Sequence, residues 1–158
     1  MILQMIDANE DIFKIIHFVE NVHHPREEQQ LFPLVAQSPL LRQGGPLCTY
    51  FKGIELDLNP LSAARKHLAD LYQQGCPHPE DYPDFQWLNS QSPLSMPMNE
   101  HQLGHELAAA LNFLSSNQES SLYKIFFSKI SEEYKKLLKA HIDKEDHCLF
   151  VICERILD

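Results

Sequence analysis

The sequence predicts an all-α domain folded as a bundle of helices. Three observations predict this class: the chain has only five glycines, it has no alternating apolar stretch bounded by turn dipeptides, and its long segments repeat apolar residues at helical spacing. At 158 residues, 44% of them hydrophobic, the chain has the size of one domain and enough apolar side chains for one sizeable core. We expect a single domain over residues 1–158.

The first long helix is expected over about residues 9–36. Its apolar residues follow one helical face, and Asp7 or Asn9 can cap its start. Pro25 falls in its middle and lacks the N–H that would bond one turn back, so we expect strain or a kink there. The Gly-Gly-Pro sequence at 44–46 breaks the segment that follows.

Three further helices are expected after this break. Asn59 can cap the second helix, Pro60 occupies its favoured first position, and Gly75 can end it in the left-handed conformation. A proline-rich connection leads to the third helix, which is expected over roughly residues 97–116. The fourth is expected from Glu119 nearly to the C-terminus, because this stretch contains neither glycine nor proline.

The charge of the chain argues against two classes of partner. It has 13 Lys and Arg against 22 Asp and Glu, a formal charge of -9, and no basic cluster, so neither nucleic acid nor an acidic membrane surface is expected to bind. No signal segment and no apolar run of about eighteen residues is present, so we expect a cytoplasmic protein. Its four cysteines form no C-x-x-C pair, which favours reduced thiols.

Three of the predicted helices each carry two candidate metal ligands four residues apart. Residues at this spacing share one face of a helix, so both members of a pair can approach a metal from the same side. A single pair of this kind more often lies on a solvent-exposed face of a helix than in a metal site. Three pairs on three helices would instead face a shared interior, where unpartnered imidazole or charged groups are costly. The pairs are His23 and Glu27, His101 and His105, and His141 and Glu145.

The chemistry of these side chains indicates the kind of metal. Imidazole and carboxylate ligands, with no thiolate at the matched positions, suit iron, manganese or zinc. Bridging carboxylates at the centre of a helical bundle favour two irons. We therefore expect a dinuclear site with iron as the preferred metal.

The segments around the pairs resemble the motifs of one protein family. "HHPREEQQLFP", "NEHQLGH" and "HIDKEDHCLF" are similar to three metal-binding motifs of the hemerythrin-like (HHE cation-binding) proteins: H-x-x-x-E-E-x-x-L-F-P, E-H-x-x-x-[HR] and H-x-x-x-E-[DE]-x-x-L-F. "SPLSMPMNEH" is similar to the approach to the third helix in iron-sulfur repair relatives. Together these matches span most of residues 10–155. The resemblance implies an up-and-down four-helix bundle that holds two irons, bridged by oxo and carboxylate groups.

The resemblance also implies roles for the first and last pairs. It makes His23 and His141 terminal ligands of the metals. It makes Glu27 and Glu145 the bridging carboxylates. His24, beside the first of these ligands, is then only a neighbour of the site.

The match to the family pattern is weaker at the pair His101 and His105 and at the N-terminus. His101 matches the histidine of the family's third helix, and His105 stands where hemerythrins have a further histidine and many relatives have arginine. Family members normally begin with another helix that supplies one more histidine, but here His23 follows the start too closely. We expect this first helix to be lacking or replaced. Either the segment 45–75 covers the exposed groove, with His67 as a substitute ligand, or a second copy of the chain forms a homodimer there.

The resemblance implies a class of function and leaves alternatives open. The first is a cytoplasmic non-haem di-iron protein that binds or senses oxygen, nitric oxide or peroxide, or handles iron. The second is an enzyme on the same scaffold, either of oxidase or peroxidase type or active in iron-sulfur repair. The third is a bundle whose degenerate site serves partner binding. The choice depends on the groups that surround the metals, which motifs do not specify.

Overall fold

Helices account for the secondary structure of this chain. The computed structural model describes residues 1–42, 59–89 and 91–158, and within these ranges the protein is all-helical with no strand. The all-α prediction is therefore confirmed for the described residues. The helical elements are α1 (Ile2–Asp7), α2 (the run 12–35), α3 (Pro39–Arg42), α4 (Asn59–Gln73), α5 (Ser95–Ser115) and α6 (the run 121–157).

Helix α2 is continuous but alternates between two helix types. Its carboxylate cap is Asp11, which accepts a hydrogen bond from the Phe13 N–H at 2.7 Å. Pro25 and Pro33 are each the second residue after a π-helical turn. A proline cannot bond to the residue four before it, and the wider turn accommodates this loss. The segments are Ile12–Phe18 (α), Val19–His23 (π), His24–Arg26 (α), Glu27–Leu31 (π) and Phe32–Val35 (α).

The other long helices lie close to their predicted positions. Helix α4 starts at Asn59, and Gly75 just after its end has a φ of 105°, the left-handed conformation predicted for it. The Ser120 side chain caps α6 by accepting a hydrogen bond from the Tyr123 N–H. Helix α6 consists of Ser121–Lys144 (α), Glu145–Leu149 (π) and Phe150–Leu157 (α). Unlike the two in α2, this third π-helical turn is not followed by a proline.

Helix α6 is the central element of the packing. It packs against α5, α4 and α1, and its last α-helical segment contacts the end of α2. Helix α4 also packs against α5, so residues 59–73 fold back onto the other helices. Fold-back of the segment 45–75 was one of two predicted alternatives, and cover of the groove beside His23 stays a prediction, as does the homodimer. The first part of this segment and the predicted break at 44–46 lie outside the described residues.

The apolar core consists of two clusters. The first includes Ile15 and Val19 of α2, the 103–114 part of α5, and residues of α6 up to Ile142. The second includes Phe32 and Val35 of α2, Leu94 and Met98 at the start of α5, and Leu149 and Cys153 of α6. Each of the three helices thus passes from one cluster to the other. Between the two clusters lie the histidine- and glutamate-rich parts of all three helices.

The cysteines differ from the sequence-based expectation. Cys76 and Cys153 are buried free thiols, as predicted. Cys148 is disulfide-bonded, so the expectation of reduced thiols throughout is wrong at this position, and Cys48 lies outside the described residues. None of the helices in the described ranges combines the length and apolar character that crossing a membrane requires.

Candidate metal centre

The part of the protein between the two apolar clusters buries an unusual number of ionisable groups. We refer to these side chains together as the polar layer. Its four buried carboxylates face one buried ammonium group, so the layer has an excess of negative charge that histidinium or a metal cation must balance. Its members are Glu27, Glu28, Glu100, Glu145, Lys144, His24, His101 and His141, each less than 9% exposed, and His23, whose side chain is 20% exposed.

Within the polar layer, metal-ligand atoms converge in two overlapping groups. One group contains His24, Glu27, His101 and His141, and the other contains His23, Glu27, His141 and Glu145. In each group the ligand atoms all lie within 4.8 Å of one another. Glu27 and His141 belong to both groups, so they lie at the centre of the arrangement.

Glu27 has the contacts expected of a metal ligand. Its Oε1 atom lies 3.2 Å from His23 Nε2 and 3.3 Å from His101 Nε2. Yet both Glu27 oxygens are buried without a hydrogen-bond partner in the described part of the chain. Two donors on one ion, at about 2.0–2.2 Å and about 90–110°, are roughly 2.8–3.6 Å apart. The observed separations fit donors that share an ion.

His141 links the two groups through a single nitrogen atom. Its Nε2 lies 3.3 Å from His101 Nε2 in the first group and 3.2 Å from Glu145 Oε1 in the second. The second oxygen of Glu145 is also buried with no hydrogen-bond partner among the described residues. An imidazole nitrogen has one lone pair, so His141 can bind only one ion at a time.

A buried carboxylate orients the ring of His101. The Nδ1 atom of His101 lies 2.7 Å from Glu28 Oε2, and the Tyr82 hydroxyl donates a hydrogen bond to the same oxygen. Because a carboxylate can only accept, the hydrogen-bond pattern assigns the proton to Nδ1. The lone pair on Nε2 then faces the centre of the layer, where a metal would lie.

The ring of His141 is held in the same way from another side. Its Nδ1 atom lies 3.2 Å from Glu100 Oε1, and the Lys144 ammonium donates to Glu100 Oε2 at 2.6 Å. These contacts hold the pKa of Glu100 below its ordinary value even though burial opposes the shift. Both imidazoles at the middle of the layer therefore direct Nε2 inward and donate Nδ1–H to a carboxylate.

His24 completes the layer by stacking on His101. The two ring centroids are 3.7 Å apart and the planes differ by 14°. Burial, and the nearby His101 and His141, lower the pKa of His24 well below its ordinary value. His24 is thus neutral at pH 7, which is the form of histidine that binds metals. Its Nε2 has no hydrogen-bond partner within the described ranges.

The two carboxyl groups at the centre have opposite pKa shifts. Burial raises the pKa of Glu145. The pKa of Glu27 is lowered although burial opposes this, because Glu145 and three histidines lie against it. Burial thus favours the protonated form of Glu145, whereas the groups around Glu27 favour its charged form.

The stability of chelator-treated protein is expected to peak near pH 6.5. Burial opposes protonation of His23, but Glu145 and Glu27 outweigh it and raise its pKa from 6.5 to about 9. The stabilisation from charged His23 is therefore complete below pH 6.5 and is lost as the pH rises towards 9. His24 acts with the opposite sign: its folded pKa is lowered, so stability falls as the pH drops below 6.5.

Urea denaturation at a series of pH values measures the free energy of unfolding, and with it both the alkaline and the acid decline. A His23→Gln variant should show a smaller decline on the alkaline side, because only the contribution of His141, whose pKa is also raised, is left there, and it should keep the decline on the acid side. An alkaline decline of the same size in this variant would contradict the role assigned to His23.

Five of the six predicted ligands come together in the polar layer, and His105 does not. His105 Nδ1 lies 3.0 Å from Glu20 Oε2, and its side chain is 34% exposed. His101 of α5 contacts Glu28 of α2, whereas His105, one helical turn later on α5, contacts Glu20, which lies earlier on α2. Glu20 is seven residues before Glu27, about 10 Å along the helix, so His105 lies at a different level.

His24 is the group member that the sequence analysis did not assign, and His67 was considered as a substitute. A signal for His24 was present, because His24 and Glu28 are also four residues apart and overlap the pair His23 and Glu27. His67 lies half-buried on α4 and belongs to neither group of ligand atoms. Of these two histidines, only His24 is thus among the grouped ligand atoms.

No family model, no curated protein and no solved structure matches this chain. The resemblance of three short segments to hemerythrin-like motifs is therefore a proposal. The case for a metal centre rests on the convergence of buried ligand atoms in the polar layer.

Proposed function

We propose that the polar layer holds two iron ions and binds a small diatomic or peroxide ligand, in a hemerythrin-like four-helix bundle. The observation that carries this proposal is the position of Glu27. Both of its oxygens are buried and lack hydrogen bonds among the described residues, and yet two imidazole nitrogens lie within 3.3 Å of one of them. A buried carboxylate in this arrangement is stabilised by a cation that the imidazoles also bind.

Two ions suit the donor set better than one. Glu27 belongs to both groups of ligand atoms and would bridge two ions. His24 and His101 would then hold the first ion, and His23 and Glu145 the second. His141 would supply a further nitrogen to one of the two. Six protein side chains shared between two ions leave coordination positions for a small molecule.

Iron is the metal that we assign to this donor set. Imidazole and carboxylate donors without thiolate suit iron, manganese or zinc, and carboxylates placed between helices of a bundle favour a di-iron site. Iron held in this way would offer an open position to a small ligand and can change its oxidation state. The apolar clusters on both sides of the layer exclude water, and Glu28 and Glu100 fix the orientation of the rings.

Metal analysis of the purified, iron-reconstituted protein tests the proposal. We expect about two iron equivalents per chain and an optical spectrum that changes when oxygen or nitric oxide is added. One equivalent would favour a mononuclear site, and no bound iron would contradict the proposal. Rapid turnover of peroxide by the loaded protein would indicate an enzyme on the same scaffold.

A His105→Ala variant is the matched control for this experiment. The family motif implies that His105 is a ligand, whereas the structure pairs it with Glu20. The variant should therefore retain about two equivalents. Loss of one equivalent would instead support the role implied by the motif.

A further inference from the structure

Tyr134 of α6 is a fully buried side chain whose hydroxyl group lacks a hydrogen bond. The residue is 0% exposed, and its oxygen has no partner in the described part of the structure. Burial and the nearby charge of Glu20 raise the pKa of Tyr134, so the hydroxyl is protonated and can donate. A buried tyrosine hydroxyl usually has a partner, because leaving it unpaired lowers stability.

Gly104 of α5 leaves room beside this tyrosine. A methyl group at Gly104 would meet Leu137 Cδ2 at 3.7 Å and both His24 Cε1 and Tyr134 Cε2 at 4.0 Å. These are ordinary van der Waals distances, so alanine would fit. Glycine in the middle of a helix is less favourable than alanine. Gly104 and the unpaired Tyr134 hydroxyl thus both lower the stability of the fold, and a methyl group at Gly104 would contact the Tyr134 ring.

The space at Gly104 also borders the polar layer. His24, which adjoins it, belongs to the first group of ligand atoms, and its Nε2 has no hydrogen-bond partner among the described residues. Glu20, which lies near Tyr134, has a buried and unpaired Oε1. A small polar molecule in this region would find unpaired polar atoms, as buried ligands and waters require.

A surface cleft approaches the same region. It has a volume of about 350 Å³ and is lined in part by Glu20, His105 and Ala108. Ala108 is one helical turn after Gly104 on the same face of α5. The cleft is therefore lined by Glu20, the residue whose charge acts on Tyr134.

We propose that the space at Gly104 receives the small ligand of the metal centre, on its His24 side, and that the Tyr134 hydroxyl donates a hydrogen bond to that ligand. This inference rests on the proposed function and specifies the ligand. Because a methyl group at Gly104 would already touch three side chains, the space admits only one end of a small ligand, and this end must be a hydrogen-bond acceptor. Nitric oxide, peroxide and azide have this chemistry.

Two single substitutions test the inference with azide as the probe. Tyr134→Phe removes only the hydroxyl, and Gly104→Ala fills the space with a methyl group. Each variant should melt about 2–4 °C higher than the wild type, because it removes an unfavourable feature of the fold. In the iron-loaded protein each should bind azide about tenfold more weakly or worse, measured by optical titration, with iron content unchanged.

Tyr72→Phe is the matched control. The Tyr72 hydroxyl is also buried without a partner in the described ranges, but it lies on α4, where its ring stacks on His78. This variant should gain stability and bind azide as the wild type does. Wild-type azide affinity in both Tyr134→Phe and Gly104→Ala would overturn the inference and leave the iron centre intact. A wild-type protein without bound iron would instead overturn the proposed function.

Discussion

Replacing Glu27 with Ala is expected to abolish the binding of both metal ions. Glu27 belongs to both groups of ligand atoms, and it is the acidic residue nearest to His101 Nε2 and one of two near His23 Nε2. Without it, each ion loses an anionic ligand and the two positions lose their bridge. We expect less than about 10% of wild-type iron in the variant, since even residues that only orient ligands alter affinity 10–100-fold.

The same substitution should weaken the chelator-treated protein. Truncating one partner of a buried charged group costs about 3–5 kcal/mol of unfolding free energy, because the remaining charges are left unpaired. The histidines around Glu27 are such partners, and His141 has a pKa well above its ordinary value because Glu145, Glu100 and Glu27 outweigh its burial. Urea denaturation after chelator treatment measures this effect separately from metal loss.

Glu145→Ala should have a different effect on metal content. Glu145 belongs only to the second group of ligand atoms, so the variant should lose the ion on the His23 side first and retain up to one equivalent. Glu133→Ala is the control for both variants, because Glu133 is a buried carboxylate on α6 outside the polar layer, 3.7 Å from Lys136. Full metal content in Glu27→Ala would show that the dinuclear assignment is wrong.

Helix positions could be predicted from sequence because their signals are local. The start of α4 follows from Asn59 and Pro60, and its end from Gly75, whose φ of 105° suits glycine. The long uninterrupted α6 follows from the lack of glycine and proline after Ser120. None of these signals contains information on how the helices pack, so the four-helix plan is still a prediction.

The candidate site was predictable to the extent that it follows helical spacing. The pairs on α2 and α6 meet because ligands four residues apart share a face. His105 shows the limit of this rule, since its level on α5 corresponds to Glu20 and not to Glu27. Which residues of two helices face each other depends on how the helices cross, and the spacing within one helix does not determine it.

Two other features of the site depend on geometry that the sequence does not display. His23, Glu27 and Glu145 all lie in π-helical turns, which shift the angular position of later residues and bring both His23 and His24 to the layer. Pro25 and Pro33 indicated distortion in α2, but the turn at Glu145 has no such marker. Tyr82 reaches Glu28 from the proline-rich connection, a contact between residues far apart in the chain.

Replacing Lys144 with Met is expected to destabilise the protein strongly, although Lys144 is not one of the grouped ligand residues. It is 4% exposed, and its ammonium group donates to Glu100 Oε2 at 2.6 Å. In Lys144→Met the charge of Glu100 stays buried with only His141 as a partner. Breaking a buried ion pair in this way costs about 3–5 kcal/mol of unfolding free energy. The double variant Lys144→Met/Glu100→Gln should recover most of this loss, because no unpaired charge is left behind.

Metal affinity distinguishes the two residues of this pair. Glu100 accepts Nδ1–H from His141, so Glu100→Ala should weaken metal binding 10–100-fold by freeing the ring. Glu100→Gln keeps an acceptor oxygen and should restore most of that affinity. Lys144→Met does not touch His141 directly, and its effect on affinity should be smaller than that of Glu100→Ala. Competition with a chelator of known affinity measures all three variants, and equal affinities for Glu100→Ala and the wild type would show that Glu100 does not position His141.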